Sequence, residues 1–537
     1  MKTIIKTFLL SLAVLPGAVS CISLDTPPYD RETDLTYWDE DPEAAYNAVN
    51  SCYNTIISMQ EFLYGDSYTD NAYIKPQVYN PNSIANGSYS TDADYVESVW
   101  DSRYSGIRLC NELLTNIDRV PGLDPALKNR YIGEVKVIRA YHYYELYTRF
   151  GDVPYTEDVI TIPESQTISR TARATVVSNI LADLDEVIDN EYLPASYTAD
   201  ADKGRITKWA AMAVKARICL FESDWKSVKD LTSKIMTEGG FSLFKDASNP
   251  ANSYQALFEI ANEGNSEVIL DRQYMYPSFY HSDQSTFLPP TIGGTGSLLP
   301  LQELVDSYIM LDGRTIEEAG ADYDENDPFS GRDPRLAATI TDVNGSYLKA
   351  DGTQQALDPA LDGLNTQSTS TVTGYYFKKW WDRMYYNSNQ SGLNPIVIRY
   401  ADILLMNAEA LAELGEFDAN AWNATIRPIR ERAGFTASSA LDYQGETGDE
   451  LISVIRNERR CELAFENLRF KDIIRWKIAE DVMDGYCHGM KTGAVVGTDN
   501  GYVRVENRHF DPAKHYLWPV PQADRDLNPN LSQNPGW

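Results

Sequence analysis

Apolar positions recur along this chain in two rhythms, and the change between them divides it. Trp100, Tyr104, Ile107, Asn111 and Leu114 follow the spacing of one buried helix face, which assigns Trp100 to the core. A second helix is predicted from about Pro125 to Phe150, with Gly151 at a position that suits a helix C-terminus. Helical patterning continues over 175–191, over 207–222 with Ala211, Val214, Ile218 and Phe221 on one side, and over 225–238 before Gly239-Gly240. Residues 398–414 and 419–433 form a later pair about Gly415. Most of Gly448–Trp476 consists of strong helix formers behind Asp449, a plausible N-cap, and helical sequence is also expected over about 42–59. These are helical hairpins of tetratricopeptide size, but no strict period of about 34 residues survives.

The other rhythm is irregular. Residues 62–96 and 240–395 mix Gly, Ser, Asn and Asp with aromatic residues, which predicts short strands and long loops. Long irregular segments in a compact domain are functional or disordered, and the aromatic content argues against disorder. Residues 22–40 read as an extended lead. The proline-rich tail is predicted to wrap the surface, pinned by Trp518 and Trp537.

Charge narrows the partners. The 537 residues carry a formal net charge of −31, which disfavours nucleic acid and anionic membranes, since both select clustered Lys and Arg. A strongly anionic polysaccharide is also a less natural ligand unless a basic patch is hidden locally. The 35 tyrosines suit either irregular cores or sugar and peptide binding. At the N-terminus, Lys2 and Lys6 flank an apolar run from Ile4 to Leu15, and small residues then lead to Cys21. This pattern predicts a secretory signal over 1–20. A cysteine placed directly after it resembles a bacterial lipoprotein box, with acylation of Cys21; an ordinary signal peptide is the alternative. The five later cysteines show no pairing framework and no CxxC, and four of them lie in helix-like sequence as expected buried thiols.

Arg456, Glu458, Arg459, Arg460, Glu462 and Glu466 alternate in charge just ahead of Phe470 and Trp476. Such a run is either a solvated face or a partly buried ionic network between helices. Arg-Asn-Glu-Arg-Arg-x-Glu-Leu-Ala-Phe-Glu-x-Leu-Arg-Phe closely resembles the C-terminal signature of the SusD/RagB family. Arg139-Ala140-Tyr141 through Gly151-Asp152-Val153-Pro154, Lys203-Gly204-Arg205 through Ala216-Arg217, Arg332-Asp333-Pro334-Arg335-Leu336, Ile398-Arg399-Tyr400-Ala401-Asp402 through Ala410, and the Leu-Trp-Pro…Asn-Pro-Gly-Trp tail resemble other motifs of that family. Ala523 and Asp524 depart from the pattern where a glutamate is common.

The resemblance implies a mostly α-helical SusD-like fold. It comprises one domain over 41–537, after a lipidated lead over 21–40, with TPR-like helices about 100–240 and 398–480 and a loop-rich ligand-binding part about 62–96 and 240–395. It further implies a nutrient-binding lipoprotein, anchored by lipid at the outer-membrane surface and seated on a SusC-like TonB-dependent transporter.

No reactive constellation is legible. The five histidines form no HExxH, and neither a GxSxG elbow nor a P-loop occurs. No cofactor is expected. A partial calcium loop sets Asp322, Asp324 and Asn326 at positions 1, 3 and 5 and Asp333 at 12, but Asp327 replaces the required glycine, so a solvated acidic loop is the rival account. Carbohydrate capture needs aromatic faces beside amides and carboxylates. Three regions supply both, and the candidate ligand-binding residues are Asp70, Asn71, Tyr73 and Tyr79; Tyr276, Phe279 and Tyr280; and Trp381. Tyr276, Phe279 and Tyr280 flank Pro277 in non-helical sequence and are the best platform candidates. Trp381 can equally pack against a helix. The expected function is non-catalytic oligosaccharide capture. Peptide capture, glycoside hydrolysis and a purely structural lid are the alternatives.

Overall fold

The computed structural model describes residues 34–77 and 80–537. Its helices stack in a row: Asp94–Asn116 on Pro125–Phe150, that on Arg173–Asp189, then Lys208–Phe221, Trp225–Glu238, Tyr400–Glu413 and Gly448–Glu462. Local chemistry sets the ends. Asp124 accepts from the backbone N–H groups of Ala126 and Leu127 ahead of Pro125, and Gly151 (φ 70°) closes the same helix. From Gly133 to Phe150 this helix is buried on nearly every side, because neighbouring helices pack around it. Tyr400–Glu413 divides two apolar clusters: Ile403, Met406 and Ala410 face the larger, Leu404, Leu405 and Ala408 the smaller. Trp100 is buried at 3 % exposure. All five described cysteines are buried thiols.

Three predicted helices come out differently. Ile398 and Arg399 end a strand, Ile396–Arg399, paired antiparallel with Val268–Asp271, as a β-branched run favours. Residues 419–433 form two helices, Ala419–Ala424 and Ile426–Ala433, because Pro428 cannot donate to the preceding turn and fits only a first turn. In the third case the helix Gly448–Glu462 stops, with Thr447 rather than Asp449 at its N-cap, and resumes as Arg469–Trp476. Tertiary donors hold the break open. Tyr254 Oη and Arg399 Nη2 donate to the Glu462 carbonyl, Lys379 Nζ to that of Ala464 and Trp380 Nε1 to that of Phe465. Carbonyls engaged this way need no further helical N–H. Phe465 and Asn467 turn the chain with φ of 62° and 61°.

The alternating charges form a buried ionic spine. Glu462 contacts Arg335 (2.9 Å), Arg399 (2.6 Å) and Arg432, and Glu458 joins Arg335 (2.6 Å) to Arg430 (2.8 Å). Glu466 holds Arg399 and Lys379, while Arg459 bridges Asp402 and Asp472. Burial alone would raise the Glu462 carboxyl, but Arg432, Arg399 and Arg335 outweigh it and hold the group well below the usual carboxylate range. The irregular part is pinned to this spine by side chains such as Arg335 and Lys379 and by the strand pair that ends at Arg399. The other small antiparallel sheets among the described residues tie it to itself or lie near the C-terminus.

Candidate ligand-binding site

The strand pair Val268–Asp271 with Ile396–Arg399 continues outward as single bonds. Arg272 N donates to the Pro395 carbonyl (3.2 Å), Tyr274 N to Asn394 Oδ1 (2.5 Å), and His281 and Ser391 exchange backbone bonds at 3.0 and 2.9 Å. Between Tyr274 and His281 the chain folds on itself, with Met275 and Phe279 exchanging bonds at 2.6 and 2.7 Å across the Tyr276-Pro277-Ser278 turn. Gly392 lies against this turn so closely that an added Cβ would sit 2.8 Å from Tyr276 N.

The turn is braced from beneath and bare above. Tyr274 stacks on Phe279 with centroids 5.1 Å apart at 14°, meets the edge of His281, and accepts a hydrogen bond from Met59 N at Oη (3.2 Å). The Arg272 guanidinium lies 5.1 Å from the Tyr274 ring centroid, and its Nη1 donates to the carbonyls of Ile56 and Ile57. Outward stand Met275, Tyr276, Phe279 and Tyr280, at 64, 50, 41 and 42 % exposure. Four large apolar side chains exposed within six residues make a patch of the kind that marks a binding face.

At the foot of this turn lies a cavity of about 220 Å³, lined by Tyr46, Tyr53, Arg205, Asp271, Arg272 and Gln273 among others. Its walls come from the helix Ala44–Tyr53, the loop before Lys208–Phe221 and the strand end. Burial raises the Asp271 carboxyl to about 6, although Gln273 Nε2 donates to it at 2.7 Å. Nothing in the local sequence marks Tyr46, Tyr53 or Arg205 as neighbours of this site, because they sit far away along the chain. Arg272 and Gln273 directly precede the aromatic run, and that adjacency was the one available signal.

The other candidate residues are placed elsewhere. Asp70 and Asn71 are buried at 4 and 1 % exposure and serve the spine. Asp70 pairs with Arg460 (2.9 Å) and Arg469 (2.8 Å), which outweigh burial and lower its carboxyl to about 2. Asn71 donates to Asp66 and accepts from Arg460. Tyr73 is buried on the strand Ala72–Ile74, which pairs with Leu298–Pro300. Trp381 is buried at 7 % exposure, donates from Nε1 to the Leu348 carbonyl (2.7 Å) and meets Tyr347 edge-on. Asn71, Tyr73 and Trp381 are committed within the fold, and Asp70, though it lines a separate cavity with Glu303 and Arg460, is taken up in ion pairs, which corrects their assignment as contacts of one site with the aromatic turn. Tyr79 and Cys21 lie outside the described residues.

The calcium pattern does not converge. Asp333 caps the helix Pro334–Thr339 and grips Arg335, Asp322 pairs with Arg314, and Asp324 accepts from Asn326. Among the described residues, no group of three acidic, His or Cys side chains is placed to hold a metal.

A row of packed helices joined to an irregular part with an outward aromatic turn defines a loop-bearing helical binding scaffold. The chain belongs to the SusD family: a model of that family matches residues 255–537, and a second, "Starch-binding associating with outer membrane", matches 35–220. A SusD-like protein, P25, of Formosa agariphila is 26 % identical over 92 % of both chains, and the starch-binding protein SusD of Bacteroides thetaiotaomicron is 24 % identical over 78 % of this chain and 75 % of its own. A SusD-like carbohydrate-binding protein of Bacteroides fragilis superposes with a TM-score of 0.82 at 27 % identity, over 93 % of this chain and all of that one. No helix among the described residues is long and apolar enough to cross a membrane.

Proposed function

We propose that this chain is a non-catalytic, outer-membrane lipoprotein that captures an oligosaccharide at the cell surface and passes it to a SusC-like TonB-dependent transporter. The observation that carries this reading is the braced turn with Tyr276, Phe279 and Tyr280 turned to solvent beside a polar cavity. Ring faces take the C–H side of sugars, and the cavity's amides and charged groups take hydroxyls. Relatives named as starch-binding and carbohydrate-binding support the same cargo. Acylation at Cys21 supplies the tether, and no cofactor takes part.

Titration calorimetry against a panel of oligosaccharides and peptides tests the cargo. Binding of a glycan without release of new reducing ends is expected. Peptide binding alone, or cleavage of the glycan, overturns the reading. Cys21→Ser is expected to release the protein from the membrane fraction, and affinity purification of the wild type is expected to recover a large β-barrel.

A further inference from the structure

Arg272 is the cation at the aromatic turn that makes no direct ion pair; the carboxylate that feels its charge, Asp283, lies beyond contact distance. Its Nη1 is spent on the Ile56 and Ile57 carbonyls, its buried Nε has no hydrogen-bond partner, and no described carboxylate lies within ion-pair distance of it. Asp271, next along the strand, directs its carboxylate to Gln273 and Asn394 instead. The ring faces of Tyr274 and Phe279, 5.1 and 5.9 Å from the guanidinium carbon, hold the group in place. The other two cations on the cavity wall are already engaged: Arg205 pairs with Glu134 at 2.8 Å and Lys203 with Asp200 at 2.7 Å. An arginine without a direct ion pair in a chain of net charge −31 needs an explanation, because acidic partners are abundant. Arg272 is one of the residues lining the cavity of about 220 Å³, which has room for a substituent of a sugar ring.

We propose that this cavity takes the anionic group of an acidic sugar, a carboxylate or a sulfate ester, with Arg272 as the specificity-determining contact while neighbouring neutral rings lie on Tyr276, Phe279 and Tyr280. Of the guanidinium's donors only Nη2 is left for a ligand, since Nη1 serves two carbonyls and Nε is buried, so Arg272 offers one charge-assisted hydrogen bond to an oxygen of either group. This inference rests on the glycan-binding reading above and adds the charge of the cargo.

The test measures affinities for three oligosaccharides of equal length: one neutral, one containing a uronic acid and one carrying a sulfate ester. The wild type is expected to bind at least one acidic ligand about tenfold or more tightly than the neutral one, corresponding to about 1.4 kcal/mol, and the two acidic arms identify the group. Arg272→Gln is expected to shrink that preference to about twofold; because the same guanidinium braces Tyr274, the readout is the ratio of acidic to neutral affinity and not either affinity alone. Arg272→Lys, which keeps the charge but cannot hold both backbone carbonyls and a ligand as the guanidinium does, should fall between. Equal wild-type affinity for neutral and acidic ligands overturns the inference and leaves the glycan reading standing. So does an Arg272→Gln protein that loses neutral and acidic binding alike. Binding of none of the three overturns both.

Discussion

Tyr276 and Trp381 are both aromatic, both in loop-rich sequence, and both were candidates for the same task. One is half exposed, while the other is buried with its indole N–H committed to a backbone carbonyl. Tyr276→Ala is therefore expected to weaken glycan binding about five- to twentyfold, a loss of about 1–2 kcal/mol, with the melting temperature unmoved. Trp381→Ala is expected to destabilise the fold by about 3–5 kcal/mol in urea titration, since it empties a packed site. If the two variants exchanged these phenotypes, the placement of the site would be wrong. Asp70 makes the same point for polar residues. An aspartate among asparagines and tyrosines reads as a sugar contact, but its partners Arg460 and Arg469 come from the other end of the chain.

At the scale of the element, the segment around Glu462 is the organising piece. Its charged run was legible from residue 456 onward, and so was the choice between a solvated face and a buried network. The break in the helix was not legible, because the donors that hold it open, Tyr254, Lys379, Trp380 and Arg399, all lie outside it. Glu462→Gln keeps the shape and removes the charge facing three arginines. A loss of about 3–5 kcal/mol follows for a broken buried pair, and a lower urea midpoint is the expected reading. A variant within about 0.5 kcal/mol of wild type would mean that the spine does not depend on this charge.

Across the whole molecule, two sets of buried carboxylates act in opposite directions with pH. Asp70 and Asp402 are held near 2, against an ordinary value of 3.8, because arginines outweigh the effect of burial. Their stabilisation is complete above the ordinary value and is lost as pH falls through the folded one, so acid unfolding is expected between about pH 4 and 2. Asp271 and Asp306 are raised to about 6 by burial, so ionising them in the folded state costs stability as pH climbs from about 4 past 6. A melting-temperature maximum near pH 4 follows, because both sets share the ordinary value of 3.8, to be checked by calorimetry from about pH 2 to 8. A stability still rising from pH 5 to 8 would contradict the assignment.

Helix identity and most helix ends were determined by the sequence itself, because spacing, caps such as Asp124 and stops such as Gly151 act within a few residues. The family was legible for the same reason, since its motifs are short structural runs. The tertiary structure alone decided which aromatic and acidic side chains reach solvent. Burial depends on what arrives from distant parts of the chain, as Arg460 does at Asp70 and as the helix Ala44–Tyr53 does at the cavity beside Arg272. Local composition records none of those arrivals.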